Sequence, residues 1–503
     1  GREKAMNPLV LIHGYSAEHG SSAGSRADIT RIYGSLPAAL RRRYGADRVL
    51  ELNVARYLSL DDGINLDDLA QAMDSALAES LPGNARFDAL VHSTGALVAR
   101  NWLRRHSSRP SRLKRLVYLA GANFGSGWAH IGRGQLAKWG RAVFQGAETG
   151  VQLLDALELG ADETLELHRY FLAAENSLWS RYRVREFCIS GSQASADWLP
   201  IPVRYAREDG ADGVVRVASC NAGWNYVAIA PKRRALSLRW DEVRESCALL
   251  GSAPGDREDD DNPGEFYRVN SQQLAAEQDH PPVPLAIPYQ CAHSGTERGI
   301  VTGRGVRREL LELLDAALAA SSEAQYRRVA EDYATRISHN LARAARELEP
   351  GPVAGIFNEP RAQYDAHAQL IFRLRDQYGR PVEDADVLLN SPPDARLAAN
   401  ELFEHVHRNR RSPHILCFYL RTSSFDAQQG GWSNRVAETG GLHLEISPTT
   451  GGTGEVRYLP VCLSLSARRL QRFVQHHRTT LIDVTLLRLP SPQVFRLVSA
   501  TGS

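Results

Sequence analysis

Lysine is almost missing from this chain: only Lys4, Lys114, Lys138 and Lys232 stand among its 60 basic residues. Methionine occurs twice. Arginine in place of lysine reads as GC-rich coding and a bacterial source, and says nothing about mechanism. Net charge is also lacking. Sixty basic against 58 acidic residues leave +2, too weak a field for a dedicated nucleic-acid binder, so no nucleic-acid partner is expected. The six cysteines form no C-x-x-C pair, which argues against a zinc or redox motif and leaves one or two disulfides open. No apolar run approaches the roughly 18 residues of a spanning helix, so no transmembrane segment is expected. No signal peptide is visible. A soluble protein is expected, with a cytoplasmic and a secreted location both open.

What remains is ordinary globular material, 43% hydrophobic and 23% charged over 503 residues. A chain of this size buries enough surface to fold without a disulfide or metal staple. Pro8 to Ile12, Arg48 to Leu52, Ala89 to His92 and Leu116 to Ala120 read as short strands. Helical patterns alternate with them, at 29–44, 66–80 and 96–105. Strand–helix alternation predicts a parallel sheet covered on both faces, an α/β fold. Residues 124–184 carry helical spacing without a strand and read as an inserted cap. Arg185 to Ser190 and Val214 to Ala218 read as a return to the sheet. A second insertion is expected at 232–288, and helices to 348 close a first domain, 1–348. Glu349-Pro350-Gly351-Pro352 opens a linker, 349–355. Beyond it the period becomes two, as in Leu370, Phe372 and Leu374, which predicts an antiparallel β-sandwich over 356–503.

Two motifs carry chemistry. Ser93 lies in Leu90-Val91-His92-Ser93-Thr94-Gly95, where an apolar strand runs straight into a helix. A serine hydroxyl needs exposure and a neighbouring base to act as a nucleophile, and a sharp strand-to-helix turn supplies the exposure. The helix start also presents free N–H groups to the reacting oxygen. Leu9-Val10-Leu11-Ile12-His13-Gly14-Tyr15 lies about 80 residues earlier, and the ordered pair is more specific than either motif alone. On these residues the chain resembles the α/β-hydrolase superfamily, and within it bacterial lipases and esterases with an H-S-x-G elbow. The resemblance covers about residues 6–320. Val91 departs from it, standing where the usual G-x-S-x-G has glycine.

The resemblance implies a serine carboxylester hydrolase working through an acyl-enzyme on an acyl ester or lipid. Ser93 would be the nucleophile, and the N–H groups of Tyr15 and Thr94 the oxyanion hole. Chain order in the family is serine, acid, histidine. The acid is placed at Asp212 in Asp209-Gly210-Ala211-Asp212-Gly213-Val214, with Asp209 and Asp197 as alternatives. The base is placed at His293, with His280 as the alternative. His13, Gly14, His92, Phe124 and Trp128 are expected to line the substrate. No cofactor and no metal is expected.

Other features have plainer readings. Trp128, Trp139, Phe144, Trp179 and Trp198 suit an acyl cleft or the packing of a cap. The stretch from Arg100 to Arg115 suits a lipid headgroup or, more simply, a solvated helix end. Asp256 to Asp261 lack a calcium-loop spacing. Transient contact with a membrane or polymer surface stays open for the C-terminal domain. Two further readings stand beside hydrolysis: an acyltransferase using the same triad, and a catalytically silent hydrolase fold that only binds.

Overall fold

A computed structural model describes residues 6–13, 33–53, 63–130, 151–194, 204–244, 247, 264–275, 278, 280–348, 360–449 and 454–494. The chain forms two compact units. The first comprises Gly1–Gly223, Gln278–His367 and Phe425–Trp432, the second Trp224–Glu277, Ala368–Ser424 and Ser433–Ser503.

The first unit is built on strands β1 (Leu9–His13), β2 (Val49–Asn53), β3 (Phe87–His92), β4 (Leu113–Leu119) and β5 (Arg185–Ile189). Their order is β2-β1-β3-β4-β5, followed by the two-residue strand Leu285–Ala286, and every pair is parallel. β1 shows why its sequence is apolar throughout. Val10 and Ile12 enter the core on one face, and Leu9 and Leu11 the core on the other. Helices α1 (Leu36–Tyr44), α2 (Leu66–Ser80) and α3 (Gly95–Arg105) flank the sheet. Leu69, Met73, Leu97 and Trp102 of α2 and α3 share one core, whereas Leu36 and Leu40 of α1 belong to the other. With both faces covered, a strand cannot alternate apolar and polar residues.

The described part of the expected cap, between β4 and β5, is helical. It contains α4 (Val151–Leu157) and α5 (Asp162–Tyr170), with a 3-10 turn at Gly127–His130 and a π-turn at Leu178–Tyr182. Helices α6 (Arg307–Ala319) and α7 (Glu323–Glu347) follow the last strand. Ser322 caps α7 by accepting from the Gln325 N–H at 3.2 Å. The 349–355 linker lies outside the described residues.

Val214 to Ala218, expected as a strand, is a turn leading into the one-turn helix Val217–Cys220. Gly210 and Gly213 take left-handed φ values of 68° and 97° and fold the chain back on itself, which ends any extended run.

The second unit draws its strands from distant parts of the sequence. Arg478–Pro490 lies parallel to His367–Asp376 on one side and to Asn225–Pro231 on the other. Tyr267–Gln273 pairs antiparallel with Asn225–Pro231. Beyond His367–Asp376 the order continues to Ile415–Arg421 and Phe403–Arg408. A separate antiparallel sheet joins Ala385–Asn390, Gly441–Pro448 and Val461–Ser466. The described C-terminal β-region therefore holds these two sheets and the two-stranded pair Ser423–Asp426 with Gly431–Asn434, and its largest sheet is mixed rather than antiparallel. Residues 224–277, grouped with the first domain in the sequence reading, supply two of its strands. A bridge between Cys247 and Cys462 ties that segment to Val461–Ser466. Cys188, Cys220, Cys291 and Cys417 are buried thiols.

Candidate active site

Ser93 occupies the turn between β3 and α3 with φ 50°. Left-handed backbone at a residue other than glycine costs about 1–3 kcal/mol, and a site holds it only when its surroundings over-determine it. They do so here. The Ser93 N–H donates to the Leu119 carbonyl at 3.2 Å, and the Ser93 carbonyl accepts from Ala96 at 3.2 Å and Ala122 at 3.0 Å. Val91 is no obstacle to the turn: it pairs with Tyr118 and is fully buried in the core. Thr94 follows Ser93 and stands at the N-cap position of α3, with no side-chain capping bond.

Asp212 is fully buried. One carboxylate oxygen, Oδ1, accepts the backbone N–H groups of Val214 at 2.9 Å and Val215 at 2.7 Å. The other, Oδ2, stands 2.8 Å from His293 Nδ1. The Asp212 carbonyl also accepts the His293 N–H at 3.1 Å. The two residues are therefore joined twice, once between side chains and once between backbones, and His293 is 2% exposed. The His293 ring lies 4.8 Å from the His92 ring, centroid to centroid. The base candidate thus sits beside the residue that immediately precedes Ser93.

The loop that carries His293 is held against the end of β5. A Cβ on Gly191 would stand 2.2 Å from the Cys291 carbonyl, so only glycine allows this approach. Gln193 donates its N–H to that carbonyl at 3.0 Å. Cys291 itself is buried, and burial pushes its thiol well above the ordinary range, so it is an inert packing residue.

The other anticipated residues fall as follows. His13 ends β1 in register with His92, and Gly14 and Tyr15 lie outside the described residues. Phe124 is buried 4.5 Å from the His168 ring of α5. Trp128 is fully buried and donates its indole N–H to the Gly213 carbonyl at 2.6 Å. Ser126 Oγ donates to the Val214 carbonyl at 2.6 Å. Segment 126–128 therefore braces the Asp212 loop, a function that no motif announced. Asp197 lies outside the described residues. His280 contacts the Pro281 carbonyl and the Gln278 side chain and stacks near Trp179.

His168 is buried, and burial followed by the Arg100 charge pulls its imidazole well below the usual range. Its Nε2 is bonded to the Asn123 carbonyl. Within the Arg100–Arg115 stretch several charges have partners in the chain, some buried, as at Arg100, and some exposed, as at Arg105. Arg100 pairs with Glu186, Arg105 with Asp67 and Arg115 with Asp88, and Arg112 donates to two backbone carbonyls. Trp139, Phe144, Trp198 and the acidic run 256–261 lie outside the described residues. Among the described residues no group of three metal-ligating side chains occurs, and no helix is long and apolar enough to cross a membrane.

A parallel sheet with helices on both faces, a strained serine turn after its third strand and an acid–histidine pair beyond its fifth define the α/β-hydrolase fold. Comparison with solved structures agrees. The chain is similar to phospholipase PlaB from Legionella pneumophila, with TM-score 0.74 and 21% identity over 98% of this chain and 97% of that one. It is similar also to the same phospholipase in complex with thio-NAD, with TM-score 0.73 and 22% identity over the same shares. By sequence, the chain matches no protein-family model and no curated protein.

Proposed function

We propose that this chain is a serine carboxylester hydrolase of the lipase or phospholipase type. The observation that carries the reading is the Asp212–His293 pair at 2.8 Å, with the His293 ring beside His92 and Ser93 next in the chain. Asp212 holds Nδ1 as the protonated nitrogen, which leaves Nε2 as the acceptor for the Ser93 proton. Ser93 Oγ attacks the acyl carbonyl as that proton moves to Nε2. The proton then passes to the leaving alkoxide as the ester C–O bond breaks. Water attacks the acyl-enzyme, gives a proton to Nε2, and the acid departs as Oγ is reprotonated. The Thr94 N–H at the start of α3, together with that of Tyr15, receives the developing oxyanion, and each such donor is worth about 2.7–4 kcal/mol. His13, Gly14, His92, Phe124 and Trp128 are assigned to substrate binding.

Phospholipids are the first substrates to test, because a solved structure similar over 98% of this chain is a phospholipase. The experiment has two arms. A fluorophosphonate probe should label the wild type and leave Ser93→Ala unlabelled. Incubation with phospholipid vesicles, triglyceride and p-nitrophenyl esters, with and without an alcohol acceptor, should release free fatty acid. Labelling that persists in Ser93→Ala would refute the nucleophile. Transfer of the acyl group mainly to the acceptor would favour an acyltransferase.

A further inference from the structure

The loop that presents Asp212 is closed at its base by a second pair of buried charges. Glu208 lies four residues before Asp212 and Arg216 four after it. Arg216 Nε reaches Glu208 Oε1 at 2.6 Å and Nη2 reaches Oε2 at 3.0 Å, a two-pronged pair. The Arg216 and Glu208 side chains are 3% and 4% exposed. Arg204, one helical turn before Glu208, pairs with the same carboxylate from the surface side. Between the two charges the backbone folds into a tight hairpin. Ala211 bridges Arg216, the Asp212 N–H donates to the Val215 carbonyl at 3.1 Å, and the Val217 N–H donates to the Gly210 carbonyl at 3.0 Å.

We infer that the Glu208–Arg216 pair is a positioning clamp for the acid of the triad, setting the direction in which Asp212 meets His293. This inference rests on the proposed role of Asp212. Gly210 and Gly213, both left-handed, leave the loop without local stiffness. Two N–H groups and one imidazole must nevertheless converge on a single carboxylate within hydrogen-bond distance. A planar guanidinium held at two points on a carboxylate fixes both distance and angle, which an ammonium cannot do. Burial alone would raise the Glu208 carboxyl, but the Arg216 and Arg204 guanidiniums outweigh it and hold it below the ordinary range. The pair stays charged, and loss of either partner leaves an unmatched buried ion. Misplacement of a catalytic group by about 1 Å costs on the order of 10²-fold in rate.

The test is a double-variant cycle on kcat, with Tm recorded for each protein. Glu208→Gln should lower kcat by about 10–10²-fold and leave KM within about twofold. Arg216→Lys, which keeps the charge and loses the fork, should lower kcat by a smaller factor, and Glu208→Asp should recover part of the Glu208→Gln loss. In an Asp212→Asn background, Glu208→Gln should change kcat by less than about twofold, because the group it positions is already disabled. Asp483→Asn serves as a control. It breaks another bidentate pair, in which the buried Arg373 meets the half-buried Asp483 at 2.6 and 2.9 Å in the second unit, and should lower Tm without a matching loss of kcat.

Independent, multiplicative losses from Glu208→Gln and Asp212→Asn would overturn the clamp. So would wild-type kcat in both Glu208→Gln and Arg216→Lys, or an equal loss of kcat in Asp483→Asn. If Glu208→Gln does not fold, Arg216→Lys and Glu208→Asp carry the same cycle. A different result, full activity in Asp212→Asn, would strike the proposed triad itself and is read separately.

Discussion

Replacing Asp212 by asparagine is the sharpest single perturbation of this site. The carboxylate accepts three hydrogen bonds, two from backbone N–H groups on Oδ1 and one from His293 on Oδ2. An asparagine has one oxygen to offer and must choose. If the oxygen keeps the two backbone donors, the amide N–H₂ faces His293 Nδ1 and donates to it. The imidazole then carries its proton on Nε2 and cannot accept from Ser93. If the amide flips, His293 keeps its partner, but two buried N–H groups lose their acceptor, at about 1–3 kcal/mol each. The first orientation costs less, so the wrong tautomer should prevail. A triad with the wrong tautomer loses about 10⁴ in kcat, which is about 5.5 kcal/mol of barrier. Because the loop keeps its backbone bonds, Tm should fall by only a few degrees. The assay is p-nitrophenyl ester turnover with fluorophosphonate labelling rates, on protein whose thermal transition has been recorded. Asp212→Asn protein that keeps a tenth or more of wild-type kcat would refute the argument, and Asp209→Asn is the comparison that would then relocate the acid.

Three further expectations follow from the same contacts. Trp128→Phe removes the indole donor to the Gly213 carbonyl and leaves that acceptor buried, so it should cost about 1–3 kcal/mol in a denaturant titration and lower kcat with little change in KM. Replacing both Cys247 and Cys462 by serine should destabilise the second unit by about 2–4 kcal/mol, because the bridge closes a loop of 215 residues; equal denaturation midpoints for wild type and variant would contradict it. His168 has a depressed folded-state pKa through burial and the Arg100 charge, so the unfolded chain binds the proton more readily. The stability it contributes is present above an unfolded pKa of about 6.5 and is lost as pH falls below it. His168→Gln should flatten the fall in Tm between about pH 6.5 and 5, and an unchanged slope would contradict the sign.

Much of the first unit could be read in one dimension because its causes are local. A fully apolar strand such as Leu9-Val10-Leu11-Ile12 means that both faces of a sheet are covered. A serine between an apolar strand and a helix start means an elbow, and it appeared as such even with Val91 in place of glycine. Asp212 and His293 are placed by the chain order that the resemblance implies, and their side chains stand 2.8 Å apart. The bracing of that meeting was hidden. Glu208 and Arg216 are common residue types eight positions apart, and nothing in their spacing marks them as buried partners. The Trp128 indole bond to the Gly213 carbonyl, which braces the acid loop, has no mark in the residue order either.

Residue order by itself determined the alternation of strand and helix, the strained serine and the period-two strands toward the C-terminus, since each is set by neighbours within a few positions. Tertiary structure decided the rest. Alternation along Leu370, Phe372 and Leu374 tells which side of a strand is buried, but not the direction of the strand beside it, so the mixed sheet formed with Arg478–Pro490 and Asn225–Pro231 was not legible. The same holds for the assignment of 224–277 to that sheet and for the pairing of Cys247 with Cys462. Strand pairing and disulfide bonding join groups more than a hundred residues apart, and the energy of such contacts depends on where the whole chain has folded.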